Sequence, residues 1–180
     1  MSKKLDGTKT SANLAEAFAG ESQAYTMYGF FAAVARKEGH HGIARIFEET
    51  AANERYHAKM WFKHMGHLNG TLENLKKAAS GENYEWTKMY ADMSKEAISE
   101  GFDKIAKEMK LVANIENDHE KRYLEFAKHL ENGTLYKRDK EIWWECLNCG
   151  HHHHGKSAPE MCETCDHPQG WFIEDTTRRK

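Results

Sequence analysis

Along IFEETAANERYHAKMWF, apolar and small residues recur every three or four positions, the spacing of one helix face, and Glu54 and His57 fall within that stripe. Residues three apart on a helix project from the same side, so a carboxylate and an imidazole would emerge together from a face meant for packing. The surrounding chain is suited to helices: from about Ser11 to Leu130 it has no proline and is rich in Ala, Glu, Lys and Met. The pattern predicts four. They run from Asn13 to Lys37 with Gly39 as the stop, from His41 to His64 with Gly66 after it, from Glu82 to Ser99 ending near Gly101, and from Phe102 to Leu130 before Asn132-Gly133. A short piece, TLENLKKAA, opens at Thr71 in the connection between the second and third helices. Downstream, TLYKRDKEIW supplies a linker and the first strand of a tail.

An internal repeat organises the helices. Shifted by 62 residues, AVARKEGHHGIARIFEETAANERYHAKMWF overlies AISEGFDKIAKEMKLVANIENDHEKRYL without a gap. Both copies carry Glu-Gly-x-x-x-Ile-Ala followed by Glu-x-x-His, at Glu54 and His57 and again at Glu116 and His119. Two helix pairs built alike predict a four-helix bundle of two related hairpins, each offering one Glu-x-x-His from its second helix.

Metal chemistry explains that pairing. A carboxylate supplies charge and can bridge two cations, and a neutral imidazole supplies nitrogen suited to iron, zinc or copper. A binuclear site in such a bundle also draws a carboxylate from each of the other two helices. On the first helix Glu16 and Glu21 are available, and Glu21 alone sits among small and aromatic residues. On the third, Glu82 and Glu85 stand at i and i+3 and can both face inward. Tyr28 and Tyr90 occupy equivalent repeat positions, where their phenols could hydrogen-bond ligating carboxylates. A lone Glu-x-x-His is most often a solvated pair; two copies at equal offset outweigh that reading. Met27, Met60, Met89, Met93 and Met109 read as packing, and His40, His41, His64, His67 and His129 as solvated side chains.

Composition limits the alternatives. The chain has 180 residues, 39% hydrophobic and 30% charged, with formal net charge −2, enough for one domain and a small module. The near-neutral balance gives no electrostatic case for a nucleic-acid partner. No apolar run approaches ~18 residues and MSKKLDGTKTS lacks an apolar signal core, so the expectation is no membrane and a cytoplasmic location. Both prolines lie in the last 22 residues and all four cysteines in the last 35, which marks a boundary: a helical domain over 1–136 and a second domain over 137–180. Cys146-Leu147-Asn148-Cys149 and Cys162-Glu163-Thr164-Cys165 are two C-x-x-C knuckles, the pattern of a tetrahedral four-thiolate metal site. Two disulfides fit poorly with a reducing compartment, and a module this small needs a metal or other staple to fold. Iron and zinc both accept four thiolates. Trp143, Trp144, Trp171 and Phe172 are expected to pack around the knuckles, and His151 to His154 to form a solvated loop.

FAGESQAYTMY, ANERYHAKMW, GENYEWTKMY, ANIENDHEKRYL and the two knuckles resemble, in order, the stretches of the rubrerythrin family over nearly the whole chain. The resemblance implies a mainly α fold: a ferritin-like four-helix bundle with a small C-terminal rubredoxin-like metal-binding β/loop domain. It further implies a binuclear iron centre, Fe-O-Fe when oxidised, and one mononuclear Fe(Cys)4 site held by Cys146, Cys149, Cys162 and Cys165. Glu54 and Glu116 would bridge the irons. Glu21 would be terminal on the first, Glu82 and His119 would hold the second, and His57 and Glu85 would exchange on the first as its redox state changes. The activity implied is reduction of hydrogen peroxide to water in oxidative stress defence, with electrons arriving through the rubredoxin-like iron from a reductase or rubredoxin-type donor, ultimately NADH. No G-x-G-x-x-G fingerprint is present, so NADH is expected to bind elsewhere. The family is similar also in forming head-to-tail homodimers, in which the tail of one subunit approaches the di-iron centre of the other. The connection from about Gly66 to Gly81 looks short for a bundle crossover, which leaves exchange of helices between two chains open. A ferroxidase or iron-handling ferritin-like protein would need the same carboxylates, and a zinc-ribbon adaptor would use only the cysteines. The first leaves the knuckles idle and the second leaves the paired Glu-x-x-His idle.

Overall fold

The computed structural model describes residues 4–178. It contains α1 (Lys9–Lys37), α2 (His41–His64), α3 (Thr71–Tyr84), a π-helical turn (Glu85–Met89), α4 (Tyr90–Ser99), α5 (Asp103–Glu131), β1 (Lys137–Cys146), β2 (His152–Ser157) and β3 (Phe172–Glu174), with 3-10 turns at Gln169–Trp171 and Thr176–Arg178. The fold is mainly α, of the ferritin-like class, with a small rubredoxin-like C-terminal sheet. Among the described residues no helix is long and apolar enough to cross a membrane. The chain divides into two compact units at Gly70 and Thr71.

The first unit is the α1–α2 hairpin. Thr8 caps α1 by accepting the Ser11 amide at 3.1 Å. The helix ends in a Schellman motif, in which His40 N–H donates to Ala35 O at 2.8 Å and Gly39 N–H to Arg36 O at 3.1 Å. Gly39 sits at φ +84°, a conformation that a Cβ would strain. Ala32, Ala35 and Ala44 let the backbones approach, with Phe47 packed alongside.

The second unit repeats this hairpin. Sixty-two residues on, Phe102 N–H donates to Ala97 O at 2.8 Å and Gly101, at φ +86°, to Ile98 O at 3.1 Å. Ser94, Ala97 and Ala106 are buried where Ala32, Ala35 and Ala44 are. The repeat thus reaches down to the small residues that set helix spacing.

Two differences from the expected helices follow from local energetics. Thr71 to Ser99 is one continuous helical run, so the short piece and the third helix are one element. Gly81 inside it costs only about 1 kcal/mol relative to alanine, too little to end a helix packed against α5. The connection after α2 therefore shrinks from sixteen residues to six, 65–70. The sheet has order β2-β1-β3, all antiparallel, with Trp144 opposite His153 and Cys146 opposite Phe172. His152 to His154 lie in β2, opposite Glu145, Trp144 and Trp143 of β1, and do not form a loop. Trp144, Cys146, Ala158, Cys162 and Phe172 form the core of this part. Trp144 and Phe172 are inside it as expected, whereas Trp171 is 42% exposed and Trp143 faces away, against His154 and Arg178.

Candidate metal centres

The thiolate cage is the clearest site. β1 delivers Cys146 at its last residue, and the knuckle turn brings Cys149 back by a bond from Gly150 N–H to Cys146 O at 2.8 Å. The second knuckle is closed the same way, Asp166 N–H donating to Cys162 O at 2.9 Å. The Sγ atoms of Cys146 and Cys165, and of Cys149 and Cys162, stand 3.7 Å apart. A disulfide needs about 2.05 Å, so all four are free thiols. Four sulfurs at about 2.3 Å from one ion in a tetrahedron lie ~3.8 Å from each other, so the cage fits a cation. Its thiols behave as one hydrogen-bonded set. The His151 amide lowers Cys149, but contacts with Cys165, Cys162 and Cys146 and loss of solvent outweigh it and push Cys149 up to about 12. Burial raises Cys165, and hydrogen bonds from Cys149, Asn148 and the His167 amide outweigh that and hold it down to about 6. A bound cation resolves the sharing by favouring every thiolate.

The helical hairpins each assemble three donors. In the first unit Glu21, Glu54 and His57 place one ligand atom each within 4.8 Å of the others, and His57 Nδ1 lies 2.8 Å from Glu54 and 3.8 Å from Glu21. In the second, Glu82, Glu116 and His119 do the same, with His119 Nδ1 at 2.6 Å from Glu116 and 4.0 Å from Glu82. Two carboxylates and one imidazole suit iron, and three donors leave an ion's coordination incomplete in either unit. Glu16 joins neither group. Glu85 lies outside the second triplet, but its charge, after burial and Glu116, helps raise the Glu82 carboxyl above its ordinary range. Tyr90 is raised too, first by burial and then by the charges of Glu85 and Glu116. Tyr28 instead packs on Phe31 and Phe47, with ring centroids 6.2 Å away.

Glu82 gives the cation-free protein a testable pH dependence. A carboxyl whose folded pKa exceeds its unfolded value favours folding below the unfolded value, and that contribution is lost as pH rises through the folded one. Thermal melts of cation-free protein should therefore show falling stability as pH rises above the ordinary glutamate range. Added ferrous or cobaltous ion should abolish the fall; a pH-independent melt would refute it.

The sequence comparisons agree with this chemistry. A family profile described as rubrerythrin matches residues 12–127, and one described as the rubrerythrin rubredoxin-like domain matches 144–173. The chain belongs to the rubrerythrin family. A rubrerythrin of Porphyromonas gingivalis is 44% identical over 185 residues, covering 96% of this chain and 92% of that protein. Rubrerythrin-1 of Clostridium acetobutylicum is 43% identical, covering 94% and 96%. The rubrerythrin of Nitratidesulfovibrio vulgaris is 40% identical over the same shares. A mixed-valence nigerythrin structure aligns at TM-score 0.36 and 29% identity, covering 96% of this chain and 90% of that one. As a rubrerythrin the chain carries a di-iron site and a rubredoxin-like Fe(Cys)4 site, and the donor sets above fit both.

Sequence reasoning missed one cluster. Glu120, beside His119, accepts hydrogen bonds from Asn83 at 3.0 Å and from the Trp86 indole at 2.6 Å. A signal for something unusual there was present: Glu21 precedes Tyr28 by seven residues, whereas Glu82 precedes Tyr90 by eight. One extra residue in an otherwise gapless repeat is what a π-turn absorbs, and the turn spans Glu85–Met89.

Proposed function

We propose that this chain is a cytoplasmic peroxidase that reduces hydrogen peroxide to water, with electrons relayed through its Fe(Cys)4 site from a reductase or rubredoxin-type donor and ultimately from NADH. The observation that carries the reading is the union, in one chain, of two like carboxylate–imidazole triplets with a four-thiolate cage. In this reading Glu21, Glu54, His57, Glu82, Glu85, Glu116 and His119 hold two irons, and the domains divide as 1–136 and 137–180. Peroxide takes up two electrons and two protons to give two waters, and a pair of ferrous ions supplies the two electrons when bound. The protein's own groups do the rest. Glu54 and Glu116 offer charge to both ions, and His57, with its side chain 47% exposed, has room to turn toward or away from its ion. The Tyr90 phenol, kept protonated by its surroundings, can donate to a ligating carboxylate. The test is metal analysis with anaerobic turnover. Protein holding three irons per chain should consume peroxide with a suitable reductase and NADH, and chelation should abolish it. Zinc-filled, inert protein would overturn the reading.

The protein is proposed to work as a homodimer with exchanged helices. Ferritin-like folds contain one long crossover connection. Glu54 lies ten residues before the end of α2, about 15 Å along the axis, and Glu82 lies eleven residues into the run from Thr71, about 16 Å. Bringing both carboxylates to one level with α2 and α3 parallel needs a return of about 31 Å, before any sideways step between helices. Seven residue steps separate His64 from Thr71, and they reach at most about 25 Å. The α1–α2 hairpin of one copy paired with α3–α5 of another removes the deficit. Exposed apolar residues are present on both hairpins to be covered, among them Ile43, Ile46, Phe102 and Ile115.

A further inference from the structure

Of the acidic side chains of α5 outside the ligand pattern, Glu120 has surroundings that give it a task. Glu120 turns both oxygens to the neighbouring helical run, Oε1 to the Asn83 amide and Oε2 to the Trp86 indole. Each donor directly follows a carboxylate, Asn83 after Glu82 and Trp86 after Glu85, so this bracket runs one residue out of phase with the ligand candidates. It also grips both sides of a change in pitch. Asn83 is in the last turn of α3, and Trp86 is inside the π-turn, which Tyr90 N–H closes by donating to Glu85 O.

An extra residue in a helix has no fixed address of its own. If the wide turn moves along by one residue, the side chain it passes rotates by about 100°. Something must hold it so that Glu85 stays within electrostatic reach of Glu82 and Tyr90. The first hairpin supplies the comparison. It has no extra residue, and it has no bracket: Ala58, buried, stands where Glu120 is and offers no carboxylate to Ser22 and Tyr25, which stand where Asn83 and Trp86 are. The insertion and the clamp occur together, in one hairpin of two.

We propose that Glu120 is a positioning residue that, through Trp86 and Asn83, locks the π-turn at Glu85–Met89 and so keeps Glu85 aimed at the Glu82–Glu116–His119 triplet. The inference rests on the metal reading above. It makes the two hairpins unequal, the second braced and the first free to adjust.

The experiment uses the full chain with zinc in the thiolate cage and cobalt(II) as the probe of the carboxylate–imidazole donors. Hydrogen exchange is followed at amides 85–90 in the cobalt-free protein. Glu120→Ala and Trp86→Phe should weaken one of two cobalt ions by about 10- to 100-fold, alter its visible spectrum and speed exchange at 85–90. Glu120→Gln, which keeps one acceptor oxygen, should fall between these and the unaltered protein. Deleting Thr87 restores the seven-residue spacing and removes the π-turn, so in that background Glu120→Ala should have no further effect on cobalt. Unchanged cobalt binding and exchange in Glu120→Ala, or an equal loss in the Thr87-deleted chain, would overturn the proposal. If the unaltered protein takes no cobalt at these donors, the metal reading itself fails, and exchange at 85–90 alone decides whether the clamp holds the turn.

Discussion

Two chains broken in different hairpins should repair each other. One variant carries Glu54→Ala with His57→Ala, the other Glu116→Ala with His119→Ala, and each alone should lose binuclear iron and peroxidase activity. Co-expressed with different tags and purified through both, the mixed complex should regain about half the binuclear iron and half the activity. In an exchanged dimer one crossed site takes both of its hairpins from the undamaged halves, and the other takes both from the damaged halves. If each chain closed its own site, every site would contain one broken hairpin and nothing would return. The thiolate irons are intact in both variants and report that the complex was recovered. Inserting about twelve flexible residues after Gly66 adds up to roughly 40 Å of reach, which removes the reason for exchange. That insertion should yield a monomeric species with its own iron and no power to complement. Recovery of a mixed complex without binuclear iron would sink the exchanged arrangement and leave the di-iron reading standing.

Much of this was legible because the chain repeats itself. The 62-residue offset aligned Glu54 with Glu116 and His57 with His119, and the structure places each pair in a like triplet with Glu21 or Glu82. The glycine stops were legible for a local reason: Gly39 and Gly101 occupy left-handed positions that only a residue without Cβ takes cheaply. What the sequence concealed depends on partners elsewhere in the chain. Gly81 signals a break, yet packing on α5 carries the helix through it, and this decides the length of the connection before Thr71. The histidine run looks like solvated loop until β1 is seen to pair with it. Glu120 sits in a polar stretch, NDHEKR, and its value appears only when Asn83 and Trp86, 37 and 34 residues away, are brought against it. Trp143 and Trp144 are adjacent and chemically alike, but strand alternation sends one into the core and the other to the opposite face.

Loss of the thiolate cage should separate the delivery of electrons from their use. Cys146→Ser or Cys162→Ser removes a fully buried sulfur from the core of the tail and with it the four-thiolate iron. Reductase-driven turnover should fall to background, because no one-electron site remains between the donor and the helical irons. Protein reduced chemically under anaerobic conditions should still consume about one peroxide per pair of helical irons in a single turnover, since those donors lie on α-helices that do not depend on the tail cation. The reciprocal variants, Glu54→Ala and Glu116→Ala, should lose the helical irons and keep the red colour of the thiolate iron, because the cage draws all four ligands from residues 146–165. Stopped-flow oxidation of the reduced protein and iron counts on each variant measure both outcomes. Disappearance of the single turnover in the cysteine variants, with the helical irons still bound, would show that the tail takes part in the chemistry and not only in supplying electrons.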